Sequence, residues 1–266
     1  NWREKVIKPP SGHVLSAADV SILPRKRVVL TYVKERMQRD KLRSTRLISR
    51  RSTDDGRTWK PPKPVTKDAD LLRMAPNVAA NGRSVHVAWS DTARPQCYAD
   101  EIRVRTSLDR GSAWSPARSI TTRDTYGWPE LDARGKTVIA TVQTTSGGLI
   151  VSRSEKNGRN WREKHIKAPA GHLLSAADVS LLPGRKVVLT YVKERMRQNK
   201  LRSTRLVSRR STDGGRTWKP PKPVTKDAPL LRMAPNVVAV GSRVTIVVQS
   251  GQLDGSPRHI FASRLR

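Results

Sequence analysis

The sequence predicts an all-β fold of five four-stranded antiparallel sheets, and three observations predict it. An eight-residue pattern, Ser52-Thr53-Asp54-Asp55-Gly56-Arg57-Thr58-Trp59, returns as Ser211-Thr212-Asp213-Gly214-Gly215-Arg216-Thr217-Trp218, more loosely at 107–114 and degenerately at 154–161. Residues 1–80 and 160–239 align without a gap at an offset of 159, and 65 of the 80 positions are identical. From Ser52 to Ser107 to Ser154 to Ser211 the spacings are 55, 47 and 57 residues. A four-stranded propeller blade needs about 40–50 residues, so each spacing is one blade.

The pattern reads as a hairpin turn. Asp54 can accept from nearby backbone N–H groups, Gly56 can supply a positive φ, and Trp59 is large enough to be buried beneath the turn. Asp109, Gly111 and Trp114 repeat those roles, as do Asp213, Gly215 and Trp218.

Taken in order, blade one spans about 10–66 and places strands at 18–23, 28–33 and 45–50, with 59–65 after the turn. Blade two, about 67–121, places them at 75–78, 85–89, 102–105 and 114–120. Blade three, about 122–168, takes 129–131, 138–142, 150–153 and 161–167, and blade four, about 169–225, repeats blade one. Blade five begins near 226 and stops at Arg266 before any turn pattern. Residues 1–8 match 160–167, a fourth strand with no first three before it. Pairing that segment with the carboxy-terminal strands would complete the last blade, remove two open sheet edges and close a single-domain, five-bladed propeller over 1–266.

Composition bounds the function. A hydrophobic content of 36% supports a real core. No apolar run reaches the roughly 18–20 residues that cross a bilayer. The single Cys97 excludes an intramolecular disulfide framework and a cysteine-based zinc cluster. The chain begins at Asn1 with neither methionine nor an apolar signal segment, and the expectation is a secreted monomer whose leader has been removed. Fifty-three Lys and Arg against 22 Asp and Glu give a net charge of +31, which draws polyanions by counterion release. Nucleic acid is expected to bind only non-specifically; no cofactor or metal is expected.

In its repeated turns the sequence resembles the Asp-box (BNR repeat) proteins, the sialidase-like β-propellers. The resemblance implies that the turns join the third and fourth strands of each blade, on the face opposite the ligand site. They therefore mark architecture rather than chemistry. Enzymes of this family set three arginines on the substrate carboxylate and use a tyrosine nucleophile with a glutamate, and an aspartic acid. They normally have six blades and an early F/Y-R-I-P motif. The nearest match is Arg73-Met74-Ala75-Pro76, repeated as Arg232-Met233-Ala234-Pro235, which keeps the arginine and proline but lacks the aromatic and the isoleucine. No tyrosine can be assigned as nucleophile: Tyr32 and Tyr191 sit in mid-strand, and Tyr98 and Tyr126 on expected loops.

On an innermost strand, Asp19, Asn77, Glu130, Asp178 and Asn236 occupy matching positions facing the channel, either as a polar site or as hydrogen-bond partners of neighbouring blades and ordered water. Loops on the face opposite the turns gather His13, His172, Arg36, Arg195, Arg73, Arg232, Tyr126 and Trp128. Arg73 and Arg232 can present guanidinium forks to an oxyanion, or pair only with Asp68 and Asp227. Tyr126 and Trp128 can stack a sugar or base, or serve packing. The expected role is a non-catalytic or scaffold-type propeller binding sialylated or sulfated glycans or other polyanions on that face. The alternatives are a divergent exo-sialidase and a duplicated or engineered scaffold with no selected ligand.

Overall fold

The computed structural model describes residues 4–92, 98–99, 101–121, 125–252 and 259–265. All twenty regular elements among them are β-strands, and no helix there is long and apolar enough to cross a membrane. The chain divides into two compact units, one comprising 1–123 with 127–129, the other 124–126 with 130–266.

The first unit holds two sheets. Sheet one runs β1 (His13–Leu23), β2 (Arg27–Gln38), β3 (Lys41–Ser52), β4 (Lys63–Pro64), each antiparallel to the last. Sheet two runs β5 (Leu72–Asn81), β6 (Ser84–Thr92), β8 (Glu101–Ser107) and β9 (Arg118–Ser119), with the two-residue β7 (Tyr98–Ala99) between β6 and β8 in the chain. Their facing sides bury Leu23, Val29, Val33 and Leu47 against Val78, Val85, Val87 and Trp89.

The second unit holds three sheets. Sheet three has β10 (Thr125–Arg134), β11 (Thr137–Thr144), β12 (Leu149–Ser154) and β13 (Trp161–Ile166) in order. Sheet four has β14 (His172–Leu181), β15 (Val187–Arg197), β16 (Lys200–Ser211) and β17 (Lys222–Pro223). Sheet five has three strands among the described residues, β18 (Leu230–Val240), β19 (Arg243–Gln252) and β20 (His259–Leu265). One core lies between sheets three and four, and another between sheets four and five.

Sheets one and four keep the same register, from Val28 opposite Ser52 in one to Val187 opposite Ser211 in the other. Cover differs far more than sequence does. Val20 and Ile22 of β1 are 54% and 76% exposed. Their counterparts Val179 and Leu181 are 3% and 4% exposed, because Ile139, Leu149 and Val151 of sheet three pack on them. Each such burial contributes about 1.5–3 kcal/mol.

Two expectations need correction. The fourth strands of sheets one and four shrink to Lys63–Pro64 and Lys222–Pro223, because the runs Pro61-Pro62 and Pro64, and Pro220-Pro221 and Pro223, lack the N–H groups that a ladder needs. Sheet three, whose last strand has no proline, keeps six residues there. Residues 4–10 carry no strand, Val6 is 65% exposed, and Trp2 lies outside the described residues. The segment expected to complete the fifth sheet is therefore not a strand over 4–8. Its copy in β13 pairs with the strand just before it, whereas the amino-terminal segment would have to close a loop over almost the whole chain.

The repeated turns form as their residues require. Asp54 accepts from the N–H and hydroxyl of Thr58 at 2.9 and 2.6 Å and from the Ser52 hydroxyl at 2.6 Å, while Gly56 N–H donates to Ser52 Oγ at 2.8 Å. Asp213 repeats this with Thr217 and Ser211, and Asp109 with Ser107, Ser112 and Ala113. Gly56, Gly111 and Gly215 stand at φ 83°, 81° and 84°, and a Cβ at any of them would lie 3.6–3.7 Å from the ring of Trp59, Trp114 or Trp218.

The hydroxyls of Ser52 and Thr58, followed by the Thr58 N–H, hold the Asp54 pKa down at about 2, and Thr217 holds Asp213 lower still. The unfolded chain, with aspartates near 3.9, therefore takes up more protons between about pH 2 and 4, and stability falls as pH falls through that window. Burial raises Asp132 and Asp19, which act in the opposite sense. The Tm advantage of the wild type over Asp54→Asn and Asp213→Asn is expected to shrink between pH 5 and pH 2 in a thermal series. A constant difference would show that the turn carboxylates are not the titrating groups.

Candidate functional site

Each sheet's first strand is broken by a bulge. Register shifts fall between Ser16 and Asp19, Met74 and Asn77, Tyr126 and Glu130, Ser175 and Asp178, and Met233 and Asn236. Ala17, Ala75 and Ala176 sit in them at φ 47°, 44° and 46°, and Gly127 at 86°. The bulge re-aims the residue after it.

In two sheets that residue is a carboxylate spent on the next sheet. Asp19 accepts from Val20 N–H at 2.8 Å and, across the sheets, from Val78 N–H at 2.6 Å. Asp178, 8% exposed, accepts from Val179 N–H at 2.7 Å and from Val237 N–H at 2.5 Å. In sheet three Asp132, two residues past Glu130, takes this role, accepting from Ala133 N–H at 2.7 Å and from Leu181 N–H at 2.6 Å. Asp19 and Asp178 act as inter-sheet clamps, each tying its own strand to the first strand of the next sheet. Asp132 escaped notice because only register, not spacing, separates it from Glu130. Glu130 and Asn77 are partly buried and engaged in contacts of their own; Asn236 is exposed.

The two motif arginines are committed in the same way. Arg73 Nη1 donates to the carbonyls of Thr45 at 2.9 Å and Lys67 at 2.7 Å, and its Nε lies 3.3 Å from Asp91. Asp91 also accepts from Trp89 Nε1 at 2.7 Å and lies 3.3 Å from Arg103 Nε, which in turn pairs with Glu101 at 2.6 Å. Burial raises the Asp91 pKa against the pull of Arg73, Trp89 and Arg103. Arg232, 8% exposed, donates from Nη1 to the carbonyl and hydroxyl of Thr204 and from Nη2 to the Lys226 carbonyl at 3.3 Å. Ser250 stands opposite it where Asp91 stands opposite Arg73, and burial lowers the Arg232 pKa. Neither arginine pairs with Asp68 or Asp227, which are taken by Arg46 and Arg205.

What stays open lies at the β2–β3 and β15–β16 tips. Two-residue turns, Arg39-Asp40 and Gln198-Asn199, have positive φ throughout, the geometry that continues strand twist. His13 faces Arg36 across the ladder and His172 faces Arg195. Each histidine donates from Nδ1 to a carbonyl two residues back, Ser11 or Ala170, at 2.8 Å, and each arginine is exposed. The nearby carboxylates Glu35 and Glu194 accept from Ser16 and Ser175. Among the described residues no ion pair includes Lys34, Arg36, Lys41 or Arg43, nor Lys193, Arg195, Arg197, Lys200 or Arg202.

On β10, Tyr126 is 39% and Trp128 64% exposed. Tyr32 and Tyr191 are buried, their hydroxyls 3.3 Å from Arg50 and Arg209 Nε. Cys97 lies outside the described residues, and among those described no three His, Cys, Asp or Glu side chains are placed to hold a metal ion.

No protein-family model matches the sequence, nor does any curated protein. Solved structures do match its fold, which is sialidase-like. A protein of unknown function from Dyadobacter fermentans superposes with a TM-score of 0.58 at 15% identity, covering 97% of this chain and 96% of that one. The sialidase of Trypanosoma rangeli gives 0.59 at 14%, covering 94% of this chain and 47% of its own. The NanB sialidase of Streptococcus pneumoniae, as its K499G mutant, gives 0.61 at 9%, with 95% and 59%. The chain thus spans about half the length of these sialidases.

Proposed function

We propose that the chain is a non-catalytic β-propeller of the Asp-box kind, with five blades, that binds sulfated or sialylated glycans through its two basic hairpin tips. The observation that carries this reading is the state of those tips: a row of cations at each, most of them exposed, with the neighbouring Glu35 and Glu194 engaged by serines and Asp40 the one exposed carboxylate in either turn. The turns at 52–59, 107–114 and 211–218 have the hydrogen bonding an Asp-box requires and support the propeller reading. The exo-sialidase alternative needs arginines free to hold a carboxylate, and Arg73 and Arg232 are bound to backbone carbonyls instead. Tyr126 in one unit and Trp128 in the other offer faces on which sugars can stack.

Binding to a sulfated glycan polymer is expected to weaken steeply with salt, as release of bound counterions requires. Arg36→Ala with Arg195→Ala should weaken it about tenfold, roughly 1.4 kcal/mol, and flatten the salt dependence. A fluorogenic sialoside should not be turned over. Equal binding of a neutral glycan, or sialoside turnover, would overturn the reading; a flat binding screen would favour a scaffold with no ligand.

A further inference from the structure

A second concentration of cations lies at the other end of the strands from the hairpin tips, roughly 36 Å away along the twelve residues of β3. Its plan is clearest where it is neutralised. Glu155, second residue of the turn at 154–161, accepts from Arg216 Nη2 at 2.6 Å and Arg185 Nη2 at 2.7 Å and lies 3.5 Å from Arg153 Nη1. The Arg216 hydrogen bond, and then the charges of all three arginines, hold its carboxyl below the usual range.

Between sheets one and two of the first unit the same plan recurs without the carboxylate. Thr53 holds the turn position of Glu155, and Arg51 that of Arg153. Arg83 holds that of Arg185, since Arg110 N–H donates to the Arg83 carbonyl at 2.8 Å just as Gly214 N–H donates to the Arg185 carbonyl at 2.7 Å. Ser112 stands in for Arg216 and accepts from Arg51 Nη1. A cleft of about 210 Å³ opens here, lined by Arg27, Arg51, Lys60, Arg110, Thr53 and Ser112. The one carboxylate on its wall, Asp109, is hydrogen-bonded within its own turn by Ser107, Ser112 and Ala113 and offsets part of the charge of Arg51 alone among these arginines. Among the described residues Arg25, Arg27, Arg83 and Arg110 have no ion pair. Desolvation first, and then the nearby charges of Arg27, Arg83 and Arg25, lower the Arg110 pKa. An anion among them would turn that repulsion into attraction.

We propose that this cleft binds a tetrahedral oxyanion, the head of a sulfate or phosphate ester, held by the lining Arg27, Arg51 and Arg110, with Arg83 beside Arg110 at the rim, in the place that Glu155 fills between sheets three and four. The related cleft between sheets four and five, about 330 Å³, keeps Lys186, Arg210, Thr212 and Lys219, but Ser242 replaces Arg83 there. It should bind more weakly.

The test is calorimetric titration of the whole chain with sodium sulfate and sodium phosphate against sodium chloride at matched ionic strength. Sulfate or phosphate should show one tighter site, and that site should bind at least tenfold more weakly in Thr53→Glu, whose new carboxylate occupies it from within. Arg110→Gln should weaken binding to a similar degree, and Glu155→Thr should open a second site. Methyl sulfate and methyl phosphate tell which ester the site serves, and a preference for either supports it. No binding beyond chloride, or equal binding in wild type, Thr53→Glu and Arg110→Gln, would overturn the proposal; should Thr53→Glu fail to fold, Arg110→Gln decides. Because the probe is a single dianion, its failure leaves polymer binding at the tips standing, and failure of the polymer leaves this site standing.

Discussion

Asp178→Ala is expected to destabilise the second unit by about 3–4 kcal/mol, a large part of a typical folding free energy of roughly 5–15 kcal/mol. The carboxylate is buried and accepts two backbone N–H groups, one of them the Val237 N–H across the sheets. Removing it leaves both donors without an acceptor beside residues that are 3% and 6% exposed, so water does not easily replace it. Asp178→Asn should recover only part of this, because its Oδ1 can accept one of the two N–H groups while its amide nitrogen can only donate and faces the other. The duplicated chain supplies its own control. Asp19 makes the same two bonds in a more exposed setting, so Asp19→Ala should cost only about 1–2 kcal/mol. Urea denaturation of the two variants checks the ordering, and hydrogen exchange should show β18 to β20 losing protection first in Asp178→Ala. Equal costs would mean that burial does not set the strength of the clamp.

Arg73→Met should cost about 3 kcal/mol, and Arg232→Met clearly less. Arg73 and Asp91, with side chains 10% and 8% exposed, form an ion pair at 3.3 Å. Losing the arginine leaves a buried carboxylate with Arg103 and Trp89 alone. Arg232 has no carboxylate opposite it, so removing it strands carbonyl groups but also relieves a buried charge. Glycan binding should persist in whatever fraction of either variant stays folded. A stable Arg73→Met protein that no longer binds would return these arginines to a ligand-holding role.

Much of the architecture could be read from the repeated turns, because Ser, Asp, Gly and Trp at fixed spacing act locally on their own backbone. Strand lengths were harder to read. The expected strands at 28–33 and 45–50 extend to Gln38 and begin at Lys41, through residues whose charge hides any alternation of apolar and polar positions. Proline runs shortened the outer strands, a rule visible in the sequence but outweighed there by the pull of the repeat. The site was the least legible part. Whether Arg73 reaches solvent or the Thr45 carbonyl depends on which backbone lies beneath a long side chain, and no local pattern encodes that. Thr53 and Glu155 occupy equivalent positions, but only the arginines gathered across the neighbouring sheet give the difference a meaning.

The shared register of sheets one and four bears on how the chain reaches its native state. Val28 to Gln38 and Val187 to Arg197 are near-identical middle strands, so during collapse each can make almost the same contacts with the other's mate, opposed mainly by the entropy of closing a long loop in place of a two-residue turn. A polypeptide diluted all at once from denaturant has to sort true hairpins from counterfeit ones. Emerging from a ribosome, it completes its first set of strands before the rival set has been made.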